Sequence, residues 1–269
     1  MSAMDEQPLR FTAPPKKAFG QNFLHERGVV AKIVQAIDPR PDDRIVEIGP
    51  GQGALTFPLL DRHGALTAIE FDRDLLAPLA AAARAHGELT LVAGDVLGVD
   101  FGALADGGRI RLVGNLPYHL SSPILFHALD HAAAIRDMHF MLQKEVVERM
   151  AAGPGSKVYG RLSVMLQAYC TVTPLFTVPP GAFRPPPKVD SAVVRLVPRA
   201  PETIGIRDPR RFADVVRAAF GQRRKTLRNA LSGVADADLI VAAGLDPGAR
   251  AEQVAVAGFV RLANCAAPD

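Results

Sequence analysis

The chain has 269 residues, 48% of them hydrophobic, enough for one large α/β domain and a small appendage. Its net charge is only +3 and its pI about 9.0, so bulk charge alone does not mark a nucleic-acid binder. Two cysteines with no Cys-x-x-Cys argue against a disulfide framework or a zinc site and fit a reducing cytosol. There is no run of about 18 or more apolar residues to span a membrane, no apolar signal core at the start, and no internal repeat.

Met1 to Pro15 is polar and proline-containing and is expected to be a loose arm. Lys16-Lys17-Ala18-Phe19-Gly20-Gln21-Asn22-Phe23-Leu24 interleaves basic, aromatic and amide residues; taken alone it is equally an ordinary leader packing two phenylalanines. Val29, Val30, Ile33, Val34 and Ile37 recur at helical spacing, and Asp38-Pro39 ends that helix. Arg44 to Ile48 reads as the first buried strand, closed by Gly49-Pro50-Gly51-Gln52-Gly53, with a helix over Ala54 to Asp61. Glycines at such a turn let backbone approach a ligand and leave helix N–H groups pointing at it. Ala65 to Ile69 is the second strand, ending in Glu70, a carboxylate placed to accept both hydroxyls of a ribose. A helix over Asp74 to Ala85, a strand over Leu89 to Ala93 and then Asp95 follow.

Ile110 to Gly114 reads as a further buried strand, and Ser121-Ser122-Pro123 as a helix start, with serine as N-cap and proline first in the helix. Asn115-Leu116-Pro117-Tyr118 therefore occupies a strand-to-helix loop at the carboxyl end of a strand, where open α/β sheets bind ligands. It offers a side-chain amide, a carbonyl held by a following proline, and an aromatic ring. That set suits a planar base with an exocyclic amino group. His127 and His131 lie one turn apart, but no third ligand stands nearby and no metal is expected.

Met138 to Leu142 is the fifth strand, Lys144 to Met150 and Leu162 to Tyr169 are helices, and Thr171 to Val178 with Ala192 to Val197 suggest a final antiparallel pair. Between these last two lies a proline-stiffened loop, with Phe183 and Arg184 at its middle. Phe183 either caps the core or stacks on a ring. Composition shifts after Pro198. From Arg207 to Arg228 eight basic residues face two acidic ones, while Asn229 to Asp269 holds two basic and five acidic. The run Arg223, Arg224, Lys225 and Arg228 is read as an RNA footprint rather than a merely solvated face, on the expectation that a helix presents it. The expected organisation is an arm over 1–15, a catalytic domain over 16–200 and a helical C-terminal domain over 201–269.

Six motifs occur in one order: Phe19 to Leu24, Val46 to Gly51, Gly114 to Tyr118, Met141 to Glu145, Pro185 to Ser191, and Gln222 to Thr226. Together they resemble the bacterial small-subunit (16S) ribosomal RNA adenine N6,N6-dimethyltransferases, from about Lys16 to near the C-terminus. The resemblance implies a Rossmann-like class I methyltransferase sheet, mostly parallel with the last strand antiparallel, and a small C-terminal helical domain. It implies S-adenosylmethionine as cofactor and, as substrate, two adjacent adenines in a hairpin loop near the 3′ end of 16S ribosomal RNA. It further implies that Asn22, Leu24, Gly49, Gly51, Glu70, Asp95 and Asn115 serve the cofactor. Asn115, Leu116, Pro117, Tyr118 and Phe183 would serve the target base. A cytoplasmic monomer is expected. Rival readings are the macrolide-resistance enzymes of 23S RNA, a non-catalytic RNA- or DNA-binding factor on the same scaffold and, more remotely, a nicotinamide oxidoreductase, which shares the glycine turn.

Overall fold

The computed structural model describes residues 21–222 and 224–265. The chain packs as two units, the first holding residues up to Lys144 together with Pro174–Leu196, the second Glu145–Thr173 and Val197 onward.

The first unit is built on the seven-stranded sheet. In chain order it contains β1 (Phe23–Leu24), α1 (Arg27–Ile37), β2 (Arg44–Ile48), α2 (Thr56–His63), β3 (Ala65–Glu70), α3 (Arg73–Ala83), β4 (Glu88–Ala93) and α4 (Phe101–Ala105). Next come β5 (Ile110–Asn115), α5 (Ser121–Asp130) and β6 (Ile135–Gln143). The sheet order is β4-β3-β2-β5-β6-β9-β7, where β7 is Cys170–Val178 and β9 is Ser191–Pro198. The pairs β2–β3, β3–β4, β2–β5 and β5–β6 are parallel, and β9 runs antiparallel to β6. The expected sheet is thus the one formed. Its central strands are near-continuous apolar runs because helices cover both faces of a parallel sheet: Ile45 to Ile48 and Ile110 to Gly114 are all buried. The strand order reverses between β2 and β5, and a crevice opens there at the carboxyl ends.

The helices follow local chemistry. α1 buries Val30, Ile33, Val34 and Ile37, one face at i, i+3, i+4 and i+7. Glu26 caps it by accepting from the Gly28 and Val29 N–H groups, and Asp38 ends it in the left-handed region at φ 48°. Two expectations need correction, and one helix was missed. α2 begins at Thr56 rather than Ala54, because Gly51 to Leu55 turn before the helix starts. α5 begins at Ser121, after a 3₁₀ turn over Tyr118–Leu120, so neither serine is the N-cap and Pro123 is third in the helix. The Ser121 hydroxyl instead donates to the Pro117 carbonyl at 3.2 Å. α4 was not foreseen; Asp100 caps it and its Phe101 is fully buried.

The second unit contains α6 (Lys144–Ala151, from Glu145 on), α7 (Arg161–Tyr169), α8 (Pro201–Ile204), α9 (Pro209–Gly221), α10 (Leu227–Ala230), α11 (Ala237–Ala242) and α12 (Val256–Asn264). It reaches back to take in α6 and α7, which the sequence reading placed with the catalytic domain. The reason is packing: α7 lies against α9 and α12, and the Tyr159 hydroxyl donates to the Val254 carbonyl at 2.9 Å. Contacts this distant in sequence leave no local boundary signal.

At the amino ends of β5 and β6 lies a buried ionic cluster. Arg111 donates twice to Asp137 at 2.8 and 2.9 Å, once to Asp43 at 2.7 Å, and to the Ile37 and Asp38 carbonyls at the end of α1. Burial alone would raise both carboxyls. The Arg40 N–H and Arg111 overcome it at Asp43, and Arg111 chiefly does so at Asp137, holding both below the usual carboxylate value. His139 beside them is buried and neutral, its pKa pushed down to about 4 first by burial. Removing one member of such a cluster leaves buried charge uncompensated. Arg111→Met is therefore expected to cost about 3–5 kcal/mol in urea unfolding; a loss below about 1 kcal/mol would show that the carboxylates do not depend on the guanidinium.

Candidate active site

The loops after β2, β3, β4 and β5 meet over one cavity of about 250 Å³. Asn22, Gly49, Glu70, Asp95, Asn115 and Tyr118 all line it. The structure thus gathers residues from a leader, three loops and the Asn115 turn, spanning more than ninety residues of sequence.

Two carboxyls form its floor. Glu70 is 6% exposed and accepts from the Gly51 N–H at 3.2 Å and the Asp72 N–H at 2.7 Å, one bond to each oxygen. Burial raises its pKa, and the Asp72, Gly51 and Phe71 N–H groups oppose the rise. Glu47 is 2% exposed and accepts from the Thr56 hydroxyl at 2.6 Å. Burial, with a smaller push from the Glu70 charge, drives its pKa up to about 8 against the Thr56 bond. Asp95 is exposed and caps a short turn by accepting from the Leu97 N–H, with one bonded oxygen.

The leader crosses this cavity as a strap. β1 pairs antiparallel with β8 (Phe183–Arg184), matching Phe23 with Arg184 and Leu24 with Phe183. The Gln21 amide donates to Asp72 at 3.2 Å. The Phe23 ring lies so close to Gly51 that a Cβ there would stand 3.1 Å from it, and Gly51 itself has φ 56°. Lys16 to Gly20, the rest of that motif, lies outside the described residues.

Asn115 meets the strap directly. Its Nδ2 donates to the Asn22 carbonyl at 3.1 Å. Only the NH₂ end of an amide can face a carbonyl, so this contact fixes which way the side chain is turned and leaves Oδ1 as the acceptor. Gly114 before it is required by close approach: a Cβ would meet the Ile48 carbonyl oxygen at 2.5 Å. Leu116 is buried, with its N–H given to Met141 O at 3.1 Å. The Pro117 carbonyl accepts from Leu120 and Ser121, which curls the chain so that Tyr118 lines the cavity. The Tyr118 hydroxyl is bonded to Ser191 Oγ at 2.7 Å. Phe183 is a correction. It is 2% exposed and packs in the core with Leu24, Val178 and Ala182, so its place is behind the strap, not across from Tyr118.

A family model described as ribosomal RNA adenine dimethylase matches residues 14–268. The chain belongs to the ribosomal RNA adenine dimethylase family. Similar proteins include Ribosomal RNA small subunit methyltransferase A of Xanthomonas oryzae pv. oryzae (strain PXO99A) and of Xanthomonas axonopodis pv. citri (strain 306). Each is 72% identical over 254 residues, covering 94% of this chain and 97% of the relative. Among solved structures, a dimethyladenosine transferase from Plasmodium falciparum superposes with a TM-score of 0.78 at 25% identity, covering 89% of this chain and 95% of that one. The 23S rRNA methyltransferase ErmE superposes at 0.70 with 27% identity, covering 91% and 99%. This member of the dimethylase family is a ribosomal RNA methyltransferase with a class I methyltransferase fold.

In this dimethylase the basic run belongs to the second unit. Arg224 and Lys225 are exposed in the turn after α9, and Arg228 is exposed on α10; Arg223 lies outside the described residues. Among the described residues of the run, only Arg228 lies on a helix. Backbone bonds from Leu227 to Ala249 and from Arg228 to Pro247 hold the segment in place. His127 is bonded to the Val99 carbonyl and tilts against Phe101, and His131 lies 3.5 Å from Asp100. No described helix is long and apolar enough to cross a membrane. Sequence reasoning missed Asp72 and Ser191. Asp72 carried a signal as the acid just before a helix, which it caps; Ser191 stood at the end of the Pro185 to Ser191 motif, but nothing local pointed to its partner, 73 residues away.

A carboxyl whose folded pKa exceeds its unfolded value stabilises fully below the unfolded value and loses that contribution as pH rises through the folded one. For Glu47 the window runs from the ordinary 4.5 to about 8. Glu47→Gln cannot ionise, so its melting temperature relative to the parent is expected to climb steadily between those limits. A difference that stays constant across the window would show that Glu47 is already ionised.

Proposed function

We propose that the chain transfers methyl groups from S-adenosylmethionine to N6 of two adjacent adenines in the 3′-terminal hairpin loop of 16S ribosomal RNA. The observation that carries this reading is the Asn115 amide, which lines the cavity with its nitrogen held by the Asn22 carbonyl, leaving the oxygen as its acceptor. The 72% identity to small subunit methyltransferases favours 16S over 23S RNA. The same reading puts the protein in the cytoplasm with its RNA, acting as a monomer.

The cavity residues fit the cofactor. Glu70, oriented by the Gly51 and Asp72 N–H groups, would accept the ribose hydroxyls through its carboxylate oxygens. Asp95 offers a carboxylate to an adenine amino group, and Phe71, which lines the cavity while 59% exposed, offers its ring an apolar face. At Gly49 an added Cβ would meet nothing within 4 Å, which leaves its backbone open to the methionine end. Gln21, Asn22 and Leu24, which line the same cavity, would cover the group. When bound, S-adenosylmethionine supplies an electrophilic methyl on a sulfonium.

The chain's own task is to make N6 a nucleophile. The N6 lone pair of adenine is delocalised into the ring. Asn115 Oδ1 and the Leu116 carbonyl accept the two N6 hydrogens, which favours a pyramidal nitrogen with a localised lone pair. Tyr118 stacks on the ring, contributing roughly 1–3 kcal/mol, and a loop adenine is already cheaper to extract than a paired one. The N6 proton becomes acidic as the new bond forms, so no strong base is required. Catalysis is positioning and electrostatics. For the second transfer one hydrogen remains to be held, and the first methyl needs room.

The test is to incubate the protein and methyl-labelled S-adenosylmethionine with unmethylated 30S subunits and with 23S RNA, then map the label. Label on two adjacent adenines of 16S RNA is expected; label on 23S RNA alone would overturn the assignment. In the same system, neutralising Arg224, Lys225 and Arg228 is expected to flatten the salt dependence of RNA binding by about 0.7–0.9 per lost phosphate contact. Parallel lines for parent and variant would show that the run is only solvated.

A further inference from the structure

We propose that Ser191 is a positioning residue for methyl transfer, acting through the Tyr118 phenol. The proposal rests on the reading of Asn115 to Tyr118 as the target-adenine site and deepens it.

The argument begins with sheet direction. β9 runs antiparallel to β6, so it starts where the parallel strands end. Its first residue, Ser191, is matched with Gln143, the last residue of β6, and the Lys144 N–H donates to the Asp190 carbonyl at 3.0 Å. Ser191 is therefore fixed at the carboxyl edge of the sheet by backbone bonds on both sides of the strand start. It is fully buried, and its Oγ is 2.7 Å from the Tyr118 hydroxyl. A buried hydroxyl is costly without a partner, so this pair is mutually retained.

Tyr118 is a half-buried ring in a short 3₁₀ turn, held at its Cα end by Pro117. The ring torsion of a tyrosine is soft. Stacking needs no hydroxyl, and phenylalanine would supply the same face. What the hydroxyl adds is a second point of attachment, at the far end of the ring. With both ends held, the ring plane is set before the base arrives, and the cost of ordering it is removed from the reaction. Ser191 thus selects the orientation in which adenine stacks with N6 directed to Asn115 and Leu116.

The test uses the full-length protein with 30S subunits lacking the methyl groups, in single turnover at saturating RNA and cofactor. Ser191→Ala is expected to slow transfer about five- to tenfold, the size of one hydrogen bond, while RNA affinity stays within about twofold, because phosphate contacts supply most of it. Tyr118→Phe removes the same bond from the other side and keeps the ring. It is expected to match Ser191→Ala, and the double variant to be no slower than either, since both delete one interaction.

A spectroscopic readout separates positioning from mere structure. The chain has three tyrosines and no tryptophan, so phenolate absorbance is legible. Burial raises the Tyr118 pKa and the Ser191 bond opposes the rise. Ser191→Ala is expected to move one phenol titration higher, and that titration is expected to vanish in Tyr118→Phe. Wild-type transfer by Ser191→Ala, additive losses in the double variant, or a slower rate with an unmoved titration would each overturn the proposal. Tyr118→Ala keeps the two failures apart. If it transfers at the wild-type rate, the base-site reading itself falls. If it is inactive while Ser191→Ala is normal, only the Ser191 role falls.

Discussion

The carbonyl of Asn22 decides how the Asn115 amide is turned. A side-chain amide is nearly symmetric in shape, and without a neighbour its oxygen and nitrogen would compete for the same position. A carbonyl oxygen 3.1 Å from one end admits only the donor there. The acceptor is thereby assigned to the other end before any substrate binds. That bond depends in turn on the strap, and the strap on Phe23 against Gly51, on Gln21 against Asp72, and on the two-residue pairing of β1 with β8. The strap over the cavity and the orientation of the Asn115 amide are one piece of structure.

The two edges of the sheet divide the labour of the first unit. At the amino ends, Arg111 ties β5, β6 and the close of α1 through Asp43, Asp137 and two carbonyls. The bonds to the two carboxylates are short and buried, which suits stability. At the carboxyl ends, burial instead raises the pKa values of Glu47 and Glu70 beside the cavity. A paired carboxylate loses its stabilising role as pH falls, and a buried unpaired one loses it as pH rises. The opposite signs at the two edges confine the stable range from both sides.

How much of this was legible in the sequence depended on the range of each signal. Apolar runs and helical spacing placed the central strands and α1 almost to the residue, because parallel strands buried on both faces leave little choice. The glycine turn, Glu70 and Asp95 were legible because each follows a strand end at a recognisable interval. Asn115 to Tyr118 stood out as an amide, a proline-held carbonyl and a ring in one loop. What failed was non-local. The strap contact at Asn22, the anchor at Ser191 and the core position of Phe183 are made across tens of residues, and proline stiffness said nothing about which way Phe183 faced. α7 joined the second unit through packing against α9 and α12, helices nearly fifty or more residues onward, and α6 is bonded to α7. The serine cap of α5 failed for a local reason, since the 3₁₀ turn at Tyr118 moved the helix start and left the Ser121 hydroxyl as a donor.

The central claim is that the Asn115 oxygen holds an N6 hydrogen while the lone pair of that nitrogen is used. Its interaction strengthens as positive charge develops on N6, so its loss belongs to the transition state rather than to binding. The most direct measurement is the single-turnover methylation rate of Asn115→Ala at saturating RNA and cofactor. The account expects a fall of about 10²–10³-fold, by analogy with removal of one oxyanion-hole donor, with RNA affinity nearly unchanged. A rate close to that of the parent protein would contradict it.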